Sequence, residues 1–251
     1  MDTNFIYTGG PFRPMYERAI RSAIATQRSD RTILWWNGER PNADIPGLEF
    51  QEYTPKLDVR AAVEARDLTS RPDLLVDHWM RVVTKDVIFW ELAFERGGLF
   101  LDLDTFCLDD VTELLGDYDV VSPIDVPWDA NRPEIGWRNV AVLITRKSSS
   151  LAGACLEATK KILTAGNMSY FELGPKVLTN TVHSRGFDGI KTPPYRMMGG
   201  FGGGNEVAAY LMGHIELPAG TRVVHWFSSS MEMQQLGIDP VVRTGEQAQD
   251  F

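Results

Sequence analysis

Two carboxylates near the middle of the sequence are placed where they could hold a metal ion. Asp102 and Asp104 follow an apolar run and have one leucine between them. Residues two apart on a β-strand share a face, so both carboxylates would project together where the strand ends. Oxygen ligands of this kind suit a hard divalent cation. The alternative is a solvated strand end followed by a loop, because Asp109 and Asp110 lie just beyond.

A long helix is predicted immediately before this strand. It begins near Ser70, where a hydroxyl N-cap is followed by Pro72 and an acid, and it ends at a glycine pair, Gly97-Gly98. Gly97 suits a left-handed C-cap. One face of the helix is an apolar stripe made of Leu75, Trp79, Val82, Val83, Phe89, Trp90 and Ala93.

Asp86 lies in the middle of that stripe. A carboxylate is costly to bury without a partner, so we expect Asp86 to meet a ligand or a cation. In the strand that follows, Leu99, Leu101 and Leu103 should share one face, with Phe100, Asp102 and Asp104 on the other.

The block from Asp86 through Gly97-Gly98 to Asp102 and Asp104 resembles the core motif of the DXD sugar-binding glycosyltransferases. That group includes glycosyltransferase family 32, the yeast-type initiating mannosyltransferases and the glucosylating domains of large clostridial toxins. The resemblance implies a metal-dependent enzyme that moves a sugar from a nucleotide-sugar, a UDP- or GDP-hexose, with retention of the anomeric configuration. It also implies Mn²⁺ or Mg²⁺ as cofactor and an acceptor that the sequence does not identify.

The resemblance also implies roles for individual residues. The catalytic acids would be Asp86, Asp102 and Asp104, and the metal ligands would be Asp102, Asp104 and His225. Substrate contacts would come from Tyr7, Thr8, Gly9, Asp86, Gly98, Asn139, Gly174, Pro175 and Ser230. The chain departs from the family pattern at Lys85 (serine in the family), Phe89 (arginine), Phe100 (tyrosine), Asn4 (histidine), Tyr7 (tryptophan) and Met231 (tryptophan). With Phe89 in place of the arginine, the pocket should be more apolar and depend on Lys85 or the metal for positive charge.

Two of these roles have a purely structural alternative. Tyr7 ends the first predicted strand, where an aromatic ring is as expected in the core as against a nucleobase. His225 follows an apolar run near the end of the chain, and a satisfied core histidine would fit that pattern as well as a metal ligand.

The remaining pattern is that of alternating strands and helices. We expect a strand from Asn4 to Tyr7, a helix over 14–26, a strand over 32–36, one long strand over 137–145 and a helix over 151–163. The glycine-rich stretch 199–204 reads as a mobile loop or lid. Together with the resemblance, this predicts an α/β fold: a single GT-A-like catalytic domain, residues 1–238, with a mostly parallel central sheet flanked by helices. Residues 239–251 read as a flexible tail.

Composition excludes some classes of protein. The 251 residues carry a formal net charge of −9, which argues against a nucleic-acid partner. Two cysteines offer neither a disulfide framework nor zinc spacing, which suits the reducing cytoplasm. No run is long and apolar enough for an integral membrane segment.

Two other functions compete with glycosyl transfer. A haloacid-dehalogenase-like phosphatase also carries Asp-x-Asp at a strand end, but it needs a hydroxyl where this chain has Phe106. A catalytically degenerate sugar-binding domain would explain the departures at Phe89, Phe100 and Met231. The two retained metal acids argue against it.

Overall fold

The computed structural model describes residues 1–64, 76–127, 136–166, 168, 172–186, 188–202 and 204–227. Its strands are β1 (Thr3–Tyr7), β2 (Thr32–Trp36), β3 (Leu48–Glu52), β4 (Gly98–Leu101), β5 (Thr105–Cys107), β6 (Val120–Val121), β7 (Ile124–Pro127), β8 (Gly136–Arg138), β9 (Val142–Thr145), β10 (Ile190–Lys191) and β11 (Val223–His225). Its α-helices are α1 (Pro14–Thr26), α2 (Arg60–Glu64), α3 (Val76–Glu95), α4 (Ser150–Ala165), α5 (Val177–Arg185), α6 (Tyr195–Met198) and α7 (Gly204–Leu211). A 3₁₀ turn spans Thr112–Leu115, and a π-helical turn spans Glu172–Lys176.

A seven-stranded sheet forms the centre of the fold, in the order β10-β6-β9-β4-β1-β2-β3. Strand β9 runs antiparallel to both of its neighbours, and the other pairs in this sheet are parallel. This confirms the predicted α/β class with a mostly parallel sheet. The carboxyl ends of β1, β4 and β6 therefore lie at one edge, the edge where ligands bind in open α/β sheets.

Alternating side chains of the central strands divide the core into two layers. Phe100 and Trp35 pack with α2, α3, α4 and α5 on one face of the sheet, and Leu99 and Leu101 pack with α1 on the other. The predicted alternation along β4 is confirmed as far as Leu101. It stops there because the strand ends, so Asp102 and Asp104 lie in a turn.

Helix α3 is buried more completely than its sequence predicts. From Val83 to Ala93 every residue except Lys85 is buried, so the expected one-sided stripe is wrong for this part of the helix. The sheet covers one side, while α2, α4 and the π-helical turn pack around the others. The predicted N-cap at Ser70 lies outside the described residues. At the other end Gly97 has a φ of +65°, which confirms the left-handed C-cap.

The glycine pair after α3 is required by packing. A Cβ at Gly97 would lie 2.3 Å from the backbone nitrogen of Lys147, and one at Gly98 would lie 2.5 Å from Asn4 Nδ2. Both residues also have positive φ. The sharp entry from α3 into β4, between β1 and β9, therefore depends on two residues without side chains.

Helix α1 and strand β2 have the predicted bounds, but the long strand over 137–145 is wrong. It divides into β8 and β9, because Asn139 interrupts it: its side-chain Oδ1 accepts a hydrogen bond from the Ala141 amide at 2.5 Å. A side chain that accepts a hydrogen bond from the backbone two residues ahead favours a turn over a sheet ladder.

Cys107 and Cys155 are both buried and reduced, and the cytoplasmic location stays a prediction.

Candidate active site

Asp102, Asp104 and His225 converge at the end of β4. One ligand atom from each residue lies within 4.8 Å of the other two, and His225 Nε2 is 3.3 Å from Asp104 Oδ1. Two carboxylates and an imidazole form a donor set that a divalent cation such as Mn²⁺ accepts. The residues therefore fit the metal that the Asp-x-Asp pattern predicts.

A turn presents the two carboxylates. The Asp102 amide donates to the Ala141 carbonyl at 2.9 Å, which anchors the strand end against the segment before β9. The Thr105 amide then donates to the Asp102 carbonyl at 3.0 Å. This turn brings both acids to the carboxyl edge of the sheet even though they are not on a continuous strand.

His225 reaches the acids through a small second sheet. Strand β11 pairs antiparallel with β5, and His225 is opposite Thr105, the residue after Asp104. The His225 amide donates to the Gly199 carbonyl at 3.0 Å, and Phe201 is fully buried beside this strand. The described part of the glycine-rich stretch is a loop, as predicted, and it supports the histidine strand. Its mobility and a lid role stay predictions.

Lys85 connects the helix to the metal-ligand cluster. Its Nζ lies 2.7 Å from Asp102 Oδ1 and 3.5 Å from Asp86 Oδ1. Burial would lower the pKa of Lys85, but the Asp102 and Asp86 carboxylates outweigh it and raise that pKa above its ordinary value. The side chain is therefore a charged ammonium between two predicted site acids.

Asp86 is 7% exposed, so the carboxylate predicted inside the helix stripe is buried. Burial raises the pKa of this carboxyl to about 6, although the neighbouring Lys85 ammonium opposes the shift. A Cβ built on Gly174 would lie 3.2 Å from Asp86 Oδ2. Glycine at that position therefore lets the π-helical turn pack closely against the carboxylate.

The other predicted substrate residues lie around this edge. Asn139 is buried and forms the turn before β9, while Pro175 lies in the π-helical turn with Gly174. This wider turn precedes α5 and packs on α3. Within that turn, the Leu173 carbonyl accepts a 2.6 Å hydrogen bond from Trp90 Nε1.

Tyr7 is 5% exposed, and its hydroxyl donates to the Gly10 carbonyl. Its ring packs edge-on against Phe12, with 5.5 Å between centroids. Nucleobase stacking by Tyr7 stays a prediction, and in this conformation the ring belongs to the core. Thr8 lies beside α3, where its hydroxyl donates to the Arg81 carbonyl at 3.0 Å.

Arg81 is a cation at this edge that the sequence reasoning missed. Its side chain lies over Gly9 and Gly10, with its Cδ 3.8 Å from where a Gly9 Cβ would be. It precedes Lys85 by one helical turn, and residues four apart share a helix face. Two basic residues at that spacing are the sequence signal that could have identified it.

Three more positions have simpler placements. Gly98 packs against β1 and is buried, so a substrate contact there stays a prediction. Phe89 is 4% exposed and packs edge-on against Trp90 and Phe100, with centroids 4.8 and 5.2 Å away. The expected apolar pocket wall at Phe89 is therefore a closed aromatic cluster. Ser230 lies outside the described residues.

Comparison with known proteins supports the fold. No protein-family model and no curated protein matches this sequence. A solved structure of the galactosyltransferase LgtC with donor and acceptor sugar analogues is similar, with a TM-score of 0.51 and 13% identity over 89% of this chain and 86% of LgtC. The chain has a GT-A-like fold.

A second similar structure is the bifunctional glycosyltransferase WbbM, with a TM-score of 0.50 and 10% identity. The match covers 89% of this chain but 45% of WbbM. At these identities the likeness establishes the fold, and a family 32 assignment is not confirmed. The dehalogenase-like phosphatase is not favoured, since Phe106 packs against Trp226, with centroids 5.7 Å apart, where that chemistry needs a hydroxyl.

Within the described ranges, none of the helices has the length and apolar character needed to cross a bilayer.

Proposed function

We propose that this chain is a metal-dependent glycosyltransferase that moves a hexose from a UDP- or GDP-sugar to an acceptor. The observation that carries the proposal is the convergence of Asp102, Asp104 and His225 at the carboxyl edge of a GT-A-like sheet. Asp86 also supports it, because its buried carboxyl lies beside this cluster and has a raised pKa, and perturbed carboxyl groups concentrate at functional sites.

Each part of the site has a role in this reaction. Asp102, Asp104 and His225 would hold Mn²⁺ or Mg²⁺, which neutralises charge on a diphosphate leaving group when bound. Asp86 would accept hydrogen bonds from hydroxyls of the donor sugar, next to the backbone of Gly174. Arg81 would add positive charge near the end of β1, where the sheet edge receives the nucleotide.

Members of the resembling family use no obvious protein nucleophile, and we name none here. Retention of the anomeric configuration is carried over from the family resemblance. The missing arginine at Phe89 removes a charged sugar contact, so the preferred hexose should differ from that of family members with the arginine. We propose residues 1–238 as one catalytic domain, with residues 239–251 as a tail.

The direct test is incubation with a panel of nucleotide-sugars in the presence of Mn²⁺, followed by measurement of nucleotide release. One donor should be turned over, and turnover should need the metal. Asp104→Asn should reduce it on the order of a hundredfold, because the variant loses one anionic ligand to a hard cation. Asp44→Asn, which changes an exposed carboxylate away from the site, is the matched control.

Three further results would separate a degenerate binding domain, the metal site and the stereochemistry of transfer. Binding of a nucleotide-sugar without turnover of any donor would identify a catalytically degenerate sugar-binding domain. Equal affinity for the nucleoside diphosphate in chelator and in Mn²⁺, measured by calorimetry, would contradict the metal site. NMR of the first product formed would show whether the anomeric configuration is retained.

A further inference from the structure

Lys85 makes an ion pair with Asp102, one of the three residues of the metal-ligand cluster. Its Nζ is 2.7 Å from Asp102 Oδ1, a normal distance for a charge-assisted hydrogen bond. Asp86 is the second carboxylate near the ammonium, at 3.5 Å. The first acid of the Asp-x-Asp pair is therefore already neutralised by a cation of the chain itself.

A divalent cation at Asp102 would lie close to this ammonium, and the two positive charges would repel each other. At short range and away from bulk water, like charges repel by several times the thermal energy. The Lys85 side chain is 24% exposed and has a flexible four-carbon stem, so the ammonium is able to move while the helix backbone stays in place. Asp102 and Asp104 cannot move away as easily, since their turn is bonded to the segment before β9.

We propose that Lys85 and the divalent cation exchange at Asp102. In the free protein the ammonium holds Asp102, and when metal and nucleoside diphosphate bind, it leaves Asp102 and pairs with the diphosphate. This inference rests on the proposed metal site. Lys85 is thus a positioning residue that keeps the metal affinity of the free protein low.

A consequence is that metal and diphosphate bind cooperatively. The diphosphate offers Lys85 a second anionic partner, so it lowers the cost of releasing Asp102 to the metal. Coupling between two ligands is reciprocal, so the metal must raise diphosphate affinity by the same factor. A serine at this position, as in the resembling family, has no charge to exchange.

The test is titration of the protein with Mn²⁺, followed by the loss of the free-ion EPR signal. Lys85→Met keeps the length of the stem and removes the charge. It should bind Mn²⁺ on the order of tenfold tighter than wild type without nucleotide, since no ammonium has to be displaced. The matched control is Lys56→Met, which removes the Lys56–Glu95 ion pair at the far end of α3.

The same titration with UDP or GDP present measures the coupling. The nucleotide should raise Mn²⁺ affinity more in wild type than in Lys85→Met. Equal Mn²⁺ affinity of the two proteins without nucleotide would overturn the exchange and leave the metal site intact. No Mn²⁺ binding by either protein, with or without nucleotide, would overturn the metal site and the exchange with it.

A measurement on the unmodified protein covers the case in which Lys85→Met does not fold. Reductive methylation followed by mass spectrometry reports how accessible each lysine amine is. Saturating Mn²⁺ should raise the methylation rate of Lys85 several-fold and leave that of Lys56 unchanged. An unchanged Lys85 rate in protein that has bound Mn²⁺ would overturn the proposal.

Discussion

Replacing Asp86 with asparagine should make the protein more stable while it removes activity. Asp86 is 7% exposed, and burial raises the pKa of its carboxyl from 3.8 to about 6 even though the Lys85 ammonium lowers it. Asparagine has nearly the same shape and no charge. It therefore avoids the free-energy cost of burying an ionised carboxylate.

The two pKa values determine the sign and size of the effect. Because the folded chain binds this proton more tightly than the unfolded chain, wild type loses stability as pH rises from about 4 through about 6. A shift from 3.8 to about 6 corresponds to about 3 kcal/mol. Asp86→Asn should therefore be more stable than wild type by about 1.5 kcal/mol at about pH 5 and by about 3 kcal/mol above about pH 7.

Urea unfolding followed by circular dichroism, at several pH values with constant m, measures this difference. Asp44→Asn removes an exposed carboxylate and should show no comparable growth of the difference with pH. In the donor assay Asp86→Asn should lower transfer on the order of a hundredfold, because the sugar loses its positioning carboxylate. The reasoning would be refuted if the stability difference between Asp86→Asn and wild type did not change with pH, or if the variant were less stable than wild type above about pH 7. Full activity of the variant would show that Asp86 does not position the sugar and has only a structural role.

Three further predictions concern the frame of the site. Gly98→Ala should lower the free energy of unfolding by several kcal/mol, because the new Cβ would lie 2.5 Å from Asn4 Nδ2. The control Gly213→Ala, which also has a positive φ but lies in open space, should lower it by about 1 kcal/mol. Equal drops in melting temperature for the two variants would contradict the clash at Gly98. Phe89→Arg should destabilise the protein by about 3 kcal/mol or more, because it would bury an unpaired guanidinium in the aromatic cluster. The variant should not turn over UDP-hexoses faster than wild type. A variant that is as stable as wild type and faster would contradict this prediction. Glu91→Ala should lower the free energy of unfolding by about 2 kcal/mol or more, because the Glu91 carboxylate accepts hydrogen bonds from two backbone amides after β3. A free energy of unfolding in urea within about 0.5 kcal/mol of wild type would contradict this.

Local pattern was enough for the elements whose periodicity is strong. Helix α1 and strand β2 have the predicted bounds because apolar spacing and a proline at the helix start are local signals. Strands β3 and β5 were missed, since short strands next to turns carry little periodicity. The prediction of one strand over 137–145 was wrong because Asn139 Oδ1 accepts a hydrogen bond from the Ala141 amide, which favours a turn.

By itself, the sequence determined that two carboxylates end a central strand just after a helix that buries a third. Those residues are close in the chain, so local geometry places them together. Only the tertiary structure decided that His225 joins them, because this depends on the pairing of β11 with β5 between distant parts of the chain. It also decided that the Lys85 ammonium contacts Asp102 across the helix–strand junction. The sequence gives the charge of each side chain. Which oppositely charged side chain it contacts depends on which distant elements pack together and exclude water.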